Sequence, residues 1–164
     1  MNNQVKELYI SFLFPPSDFV SGINVFKRIV ENKNSVDILQ ANVSSSDLHF
    51  DEMERYINNR IYVDVDCVDD SAICISKFIN NSIDLIPKSY EKVYSRSWFS
   101  ANHFLAFEYK TQNPNVFWTA EFSDPLIFDL TNNVKKYKKI IFDNPDYIEK
   151  INGNKYKKIK LQNK

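Results

Sequence analysis

The sequence predicts an α/β domain built on a doubly wound, mostly parallel sheet. Short apolar runs rich in aromatic and β-branched residues recur along it. Stretches of roughly ten to thirteen residues with helical periodicity separate them, and proline, glycine or Ser/Asp signals mark the changes. Strands that alternate with helices in this way make βαβ units, whose natural product is a parallel sheet covered on both faces.

The elements follow in order. A strand from Val5 to Phe14 is stopped by Pro15-Pro16, and a helix from Gly22 to Lys33 follows, with Ser21 as its cap and Ile23, Phe26, Ile29 and Val30 on one face. Val36 to Val43 reads as the second strand. Phe50, Met53, Tyr56 and Ile57 recur at helical spacing over Phe50 to Asn59, and Ile61 to Val68 reads as the third strand. A capped helix with Ile73, Ile75, Phe78 and Ile79 on its apolar face comes next. Lys92 to Arg96 is a short strand, Ser100 to Thr111 a helix ended by Asn113-Pro114, and Val116 to Phe122 a strand closed by Ser123-Asp124-Pro125. Lys138 to Asp143, a helix opened by Asn144-Pro145, and Tyr156 to Gln162 complete the pattern, so residues 1–164 are expected to form a single domain.

Composition narrows the classes of function. At 43% apolar and 26% charged residues, the chain is neither a disordered nor a membrane-spanning sequence. No run approaches the ~18 apolar residues a span needs, and MNNQVKE has no signal-peptide core, so a cytoplasmic protein is expected. Cys67 and Cys74 lack zinc-site spacing and are expected as unpaired, buried small side chains of a reducing compartment. The net charge is zero, yet residues 130–164 hold 10 lysines against 3 acids. Lysine unaccompanied by arginine after Arg96 disfavours nucleic-acid readout, for which the arginine fork is the usual tool. The lysines interleave with Tyr, Ile and Phe, which reads as the solvated face of the last elements or as a peripheral contact with anionic headgroups.

Only Gly22 and Gly153 occur in the chain. Gly22 falls between the first strand and first helix, at the sheet edge where α/β folds bind ligands. There it serves either as a close-approach point for backbone N–H groups or as a turn residue needing positive φ. Neither G-x-G-x-x-G nor the P-loop pattern is present, and no acidic pair with lysine suggests a response regulator. The other chemistry-bearing string is Ser97-Trp98-Phe99-Ser100-Ala101-Asn102-His103, followed by a strand ending at Glu121, Ser123 and Asp124. His103 is either a donor or base at the site or a packed helix residue. Asp64-Val65-Asp66 with Asp69 and Asp70 reads as a D-x-D metal motif or as a strand end with acidic helix caps. Tyr90, Tyr94, Trp98 and Phe99 suit either a carbohydrate or protein surface or the core.

Three stretches resemble the N-terminal domain of a GT-B-fold glycosyltransferase, similar to bacterial family 4 (group 1) enzymes of surface-polysaccharide biosynthesis. They are FLFPPSDFVSGINVFKRIVENKNSVDILQ from Phe12, SWFSANHFLAFEYKTQNP from Ser97 and FWTAEFSDPL from Phe117. The resemblance implies a Rossmann-like domain, the acceptor-side half of a two-domain enzyme, that transfers a sugar from a nucleotide-sugar to a bacterial glycan or lipid-linked acceptor. It implies that Ser21 and Gly22 face the interdomain cleft, that His103 lies near the transferred sugar or holds the neighbouring loop, and that Asp124 lines the acceptor side with Glu121 and Ser123 beside it. It further implies that His103 and Asp124 act in catalysis, that no metal or other cofactor is needed, and that a separate C-terminal domain binds most of the donor. The sequence departs from the family in having one glycine in the first loop, and Phe-Ser-Asp-Pro-Leu where relatives often carry an arginine and a tryptophan. The alternative is a non-catalytic interaction or regulatory module that docks through its basic C-terminal part.

Overall fold

The computed structural model describes residues 6–43, 54–96 and 98–122. They form an α/β fold with a five-stranded, all-parallel sheet and three helices, consistent with a Rossmann-like, doubly wound arrangement. The strands are β1 (Glu7–Ile10), β2 (Val36–Ala41), β3 (Ile57–Val63), β4 (Lys92–Arg96) and β5 (Phe117–Glu121). The helices are α1 (Val20–Asn32), α2 (Ala72–Ser82) and α3 (Ala101–Gln112), with a 3-10 turn at Ile83–Leu85 after α2. The sheet order is β3-β2-β1-β4-β5, so the chain moves outward from β1 in one direction and then returns to its other side.

That reversal sorts the helices. Parallel neighbours need a crossover, and the twist of the strands favours right-handed ones, so crossovers running in opposite directions cover opposite faces. Tyr9, Val36, Ile38 and Tyr94 pack with Val25 and Ile29 of α1 on one face. On the other, Phe12 meets Phe78 of α2 at 4.7 Å between ring centroids and Phe99, just before α3, at 4.9 Å. Successive side chains of a strand alternate between these faces. The central strand therefore reads as a continuous apolar run, with Leu8, Tyr9 and Ile10 all buried.

Several sequence expectations are corrected. The helical spacing over Phe50 to Asn59 gives way to β3 at Ile57, and residues 50–53 lie outside the described residues. Asn58, Asn59 and Arg60 conceal the strand: Asn59 is exposed, and the polar side chains of the other two find cross-strand partners, Asn58 donating to Asp37 (2.8 Å) and Arg60 to Gln40 (2.7 Å). The strand ends at Val63 rather than Val68, since β2 offers ladder partners only as far as Ala41. Asp64 and Asp66 thus lie beyond the strand instead of sharing a face of it. α1 begins at Val20, so Ser21 is inside the first turn and Phe19 holds the cap position. Its buried face is Gly22, Val25 and Ile29, with Ile23, Phe26 and Val30 half-buried. In α2, capped by Ser71 on the Cys74 amide, Ile73 is exposed and Cys74 takes the inward position. Cys67 and Cys74 are not free but paired as a disulfide, because the first turn of α2 brings their Cα atoms to 5.7 Å. The three expected elements after residue 130 lie outside the described residues.

Gly22 is neither a positive-φ turn residue nor part of a loop. A Cβ built on it would lie 2.1 Å from the Leu13 carbonyl oxygen, so only glycine lets α1 approach the backbone that leaves β1. Gly22→Ala is expected to lower stability by about 2 kcal/mol through overpacking, outweighing the ~1 kcal/mol that alanine gains in helix propensity. The urea midpoint should fall by roughly 1 M, whereas Ser21→Ala, one residue away, should leave it near the wild-type value.

Candidate functional site

The order reversal separates the carboxyl ends of β1 and β4, and a crevice at such a switch point is where doubly wound sheets bind ligands. A cleft of about 630 Å³ opens there, lined by Asp18, Phe19, Val20, Ser21 and Asn24 on one side and by Arg96 and Trp98 on the other. Its size is that of a small-molecule site.

Three side chains hold the walls. Asn102 is buried and bridges the diverging strand ends: the Phe12 N–H donates to its Oδ1 (2.7 Å), and its Nδ2 donates to the Arg96 carbonyl (2.9 Å). Arg60 reaches from β3 to the loop after β1, donating to the Pro15 carbonyl (2.9 Å) while its guanidinium lies over the Phe14 ring. Asp70 accepts both the amide and the hydroxyl of Ser100 (2.9 and 2.7 Å). That places a carboxylate at the positive end of α3 and secures the loop after β4.

The cleft gathers one acid, Asp18, and one cation, Arg96, beside the start of α1. Among the described residues no side chain caps α1, so its first-turn amides keep their donors at the positive end of the helix dipole. Arg96, largely buried, pairs through Nη1 with Glu121, and its Nε has no partner among the described residues. Glu121 is the hub of this cluster, accepting also from Arg28 Nε (3.1 Å) and the Tyr94 hydroxyl (2.5 Å). Burial raises the Tyr94 hydroxyl pKa, which keeps that hydroxyl a donor. Among the described residues, the side chains of Asp18, Ser21 and Asn24 make no hydrogen bond, which leaves them available to a ligand.

His103 lies beneath, on the opposite face of the sheet from Glu121. Trp118 Nε1 donates to Ser95 Oγ (2.8 Å), and Ser95 Oγ is 2.7 Å from His103 Nδ1. Trp118 is only a donor, so Ser95 Oγ accepts from it; the Ser95–His103 contact is made either by Ser95 donating to a bare Nδ1 or by a protonated Nδ1 donating to Ser95, which leaves Nε2 the donor in the first tautomer and the acceptor in the second. That Nε2 is buried without a hydrogen-bond partner among the described residues, and the ring packs on Phe122 at 4.5 Å. Burial lowers the His103 pKa to about 4, so the ring is neutral at physiological pH.

Of the residues expected at the site, Ser21 lines the cleft, while Gly22 is buried under Leu13 and does not. Glu121 adjoins the cleft through Arg96, and His103 adjoins it only through Ser95, the neighbour of Arg96 in the chain. Ser123 and Asp124 lie outside the described residues. The acidic run disperses: Asp64 accepts from Asn42, Asp66 pairs with Lys77, Asp69 accepts the Ser71 amide, and Asp70 holds Ser100. Among the described residues no group of three or more metal-ligating side chains is gathered. Tyr90, Tyr94 and Phe99 are buried, and Trp98 alone of that aromatic group is exposed. Sequence reasoning missed Asp18, Asn24, Arg96 and Asn102 as site residues. Arg96 and Asn102 were open to detection as the polar residues flanking a strand's end and the next helix's start.

Compared with protein-family models, curated proteins and solved structures, the chain matches none of them.

Asn102→Ala should destabilise the fold by about 2–4 kcal/mol, because it removes two buried hydrogen bonds and orphans both backbone partners; chemical denaturation checks this. His103 gives a pH test. Its folded pKa lies below the unfolded value, so its stability contribution is complete above about pH 6.5 and is lost as pH falls toward about 4. Unfolding midpoints should decline over that window, with a shallower slope in His103→Gln, and the His103 ring resonances should stay those of the neutral form at pH 6.

Proposed function

We propose that this chain is the acceptor-side domain of a sugar transferase of the GT-B type, and that the cleft between the ends of β1 and β4 receives the sugar-phosphate part of a nucleotide-sugar together with a glycan acceptor. The observation that carries the reading is convergence. Asp18, Phe19, Val20, Ser21, Asn24 and Trp98 belong to two of the stretches that resemble the family, and they line one cleft at the switch point.

The chemistry of the cleft suits the role. Sugar transfer from a nucleotide-sugar builds negative charge on the departing phosphate. Helix-end amides and an arginine whose position is fixed by Glu121 are suited to offset such charge without reorganising. Ser21, Asn24 and Asp18 offer donors and acceptors for hydroxyl groups. The walls, held by Asn102, Arg60 and Asp70, are built for positioning, which supplies much of the barrier reduction in bimolecular transfer. In this reading a second domain closes over the cleft and binds the nucleotide, and the protein works at the cytoplasmic side of a membrane carrying its acceptor. No helix among the described residues is long and apolar enough to cross that membrane. The docking alternative rests on residues 130–164, which lie outside the described residues.

Titration of the ¹⁵N-labelled chain with UDP- and GDP-sugars tests this. Amide shifts should concentrate at residues 18–24 and at Arg96 and Trp98, and Arg96→Gln should weaken binding by about tenfold, as expected for loss of a charge-assisted hydrogen bond. Absence of shifts at those residues with every nucleotide-sugar at millimolar concentration would sink the reading.

A further inference from the structure

Trp98 is 58% exposed, in a fold that buries Tyr90, Tyr94 and Phe99 around it in sequence. Phe19 and Val20, also exposed, line the same cleft, so its lips are apolar while Asp18, Ser21, Asn24 and Arg96 supply polar groups. An indole face left in water is unfavourable in proportion to its area, and a contiguous apolar rim around polar groups marks a binding site.

The kind of ligand follows from the pairing of these groups. A purely apolar ligand would leave Asp18 and Asn24, which make no hydrogen bond among the described residues, desolvated and unpaired. A purely anionic one would meet the Asp18 carboxylate. A pyranose ring has one face of C–H groups and an equatorial girdle of hydroxyls. Its C–H face suits the indole, and its hydroxyls suit a carboxylate acceptor and an amide that both donates and accepts.

We propose that Trp98 is the stacking platform for a pyranose unit of the acceptor glycan, with Asp18 and Asn24 binding that unit's hydroxyls. The proposal rests on the sugar-transfer reading and deepens it: the acceptor end of the site recognises a saccharide rather than a bare lipid phosphate. Trp98 is thus a specificity-determining residue, and Arg96 serves the charged part of the same cleft.

The two tryptophans make the test internally controlled. Trp98 is exposed, whereas Trp118 is half-buried and hydrogen-bonded to Ser95, so their indole N–H resonances report separately on ligand and on fold. The full chain is titrated with tetra- to hexasaccharides of glucose, galactose, mannose and N-acetylglucosamine. With at least one of them the Trp98 indole signal should move while that of Trp118 stays in place. Trp98→Ala should weaken that binding by about tenfold and Trp98→Tyr should largely retain it, as expected of a stacking contact. Asp18→Asn and Asn24→Ala should each weaken it by several-fold. Saccharide binding that leaves the Trp98 signal unmoved, or that survives Trp98→Ala undiminished, overturns the proposal, as does failure of every saccharide to bind. The outcome is separable from the broader reading. Nucleotide-sugar shifts at Arg96 and the start of α1, with no saccharide response at Trp98, overturn the platform and leave the transferase reading standing.

Discussion

The architecture of the carboxyl edge depends on one buried side chain, Asn102. Where β1 and β4 part, each loses its ladder partner, and the Phe12 amide and Arg96 carbonyl would be left unpaired inside the protein. An unsatisfied buried backbone group costs about 1–3 kcal/mol, comparable to a sizeable share of a domain's net stability. The Asn102 amide supplies the missing acceptor to one strand and the missing donor to the other, which an aspartate or leucine of similar size cannot do. The crevice is thereby held open at a fixed width.

The sheet then divides the chemistry between its faces. Tyr94, Arg96 and Glu121 project toward the α1 side, where Arg28 completes a cluster around one carboxylate. Ser95 and Trp118 project to the other side, toward His103 of α3. The alternation of side chains along a strand makes this separation unavoidable once β4 and β5 are paired in register, Arg96 opposite Glu121 and Ser95 opposite Ala120. A charged, partly solvated cluster and a neutral, desolvated histidine therefore coexist within adjacent residues. Burial keeps His103 uncharged, while the Glu121 carboxylate gives Arg96 a fixed place beside the cleft.

β4 and β5 were legible because they are bounded by stop signals: Lys92 to Arg96 is read to the residue and Phe117–Glu121 to within one, whereas the first strand, expected from Val5 to Phe14, spans only Glu7–Ile10. β3 was not legible, since Asn58, Asn59 and Arg60 present no alternation, and Asn58 and Arg60 owe their place to partners on β2. For the same reason Gly22 could be placed near the ligand edge from its position in the chain, while its true task, admitting α1 against Leu13, depends on a neighbour nine residues away whose carbonyl direction no local pattern encodes.

What the sequence determined by itself is the alternation of strands and helices, hence the class of fold, and the concentration of polar residues after the first and fourth strands. Local propensity and periodicity are enough for that, because they act over a few residues. Only the tertiary structure decided which of those residues share a cleft. Arg96 faces α1 and His103 faces away because of sheet alternation, and Cys67 meets Cys74 because a helix turn brings them together. Trp98 stays exposed while Phe99 beside it stacks on Phe12. Apart from the local disulfide, these outcomes are set by strand order and register, properties of pairs of segments distant in sequence that are fixed when the hydrophobic faces close on one another.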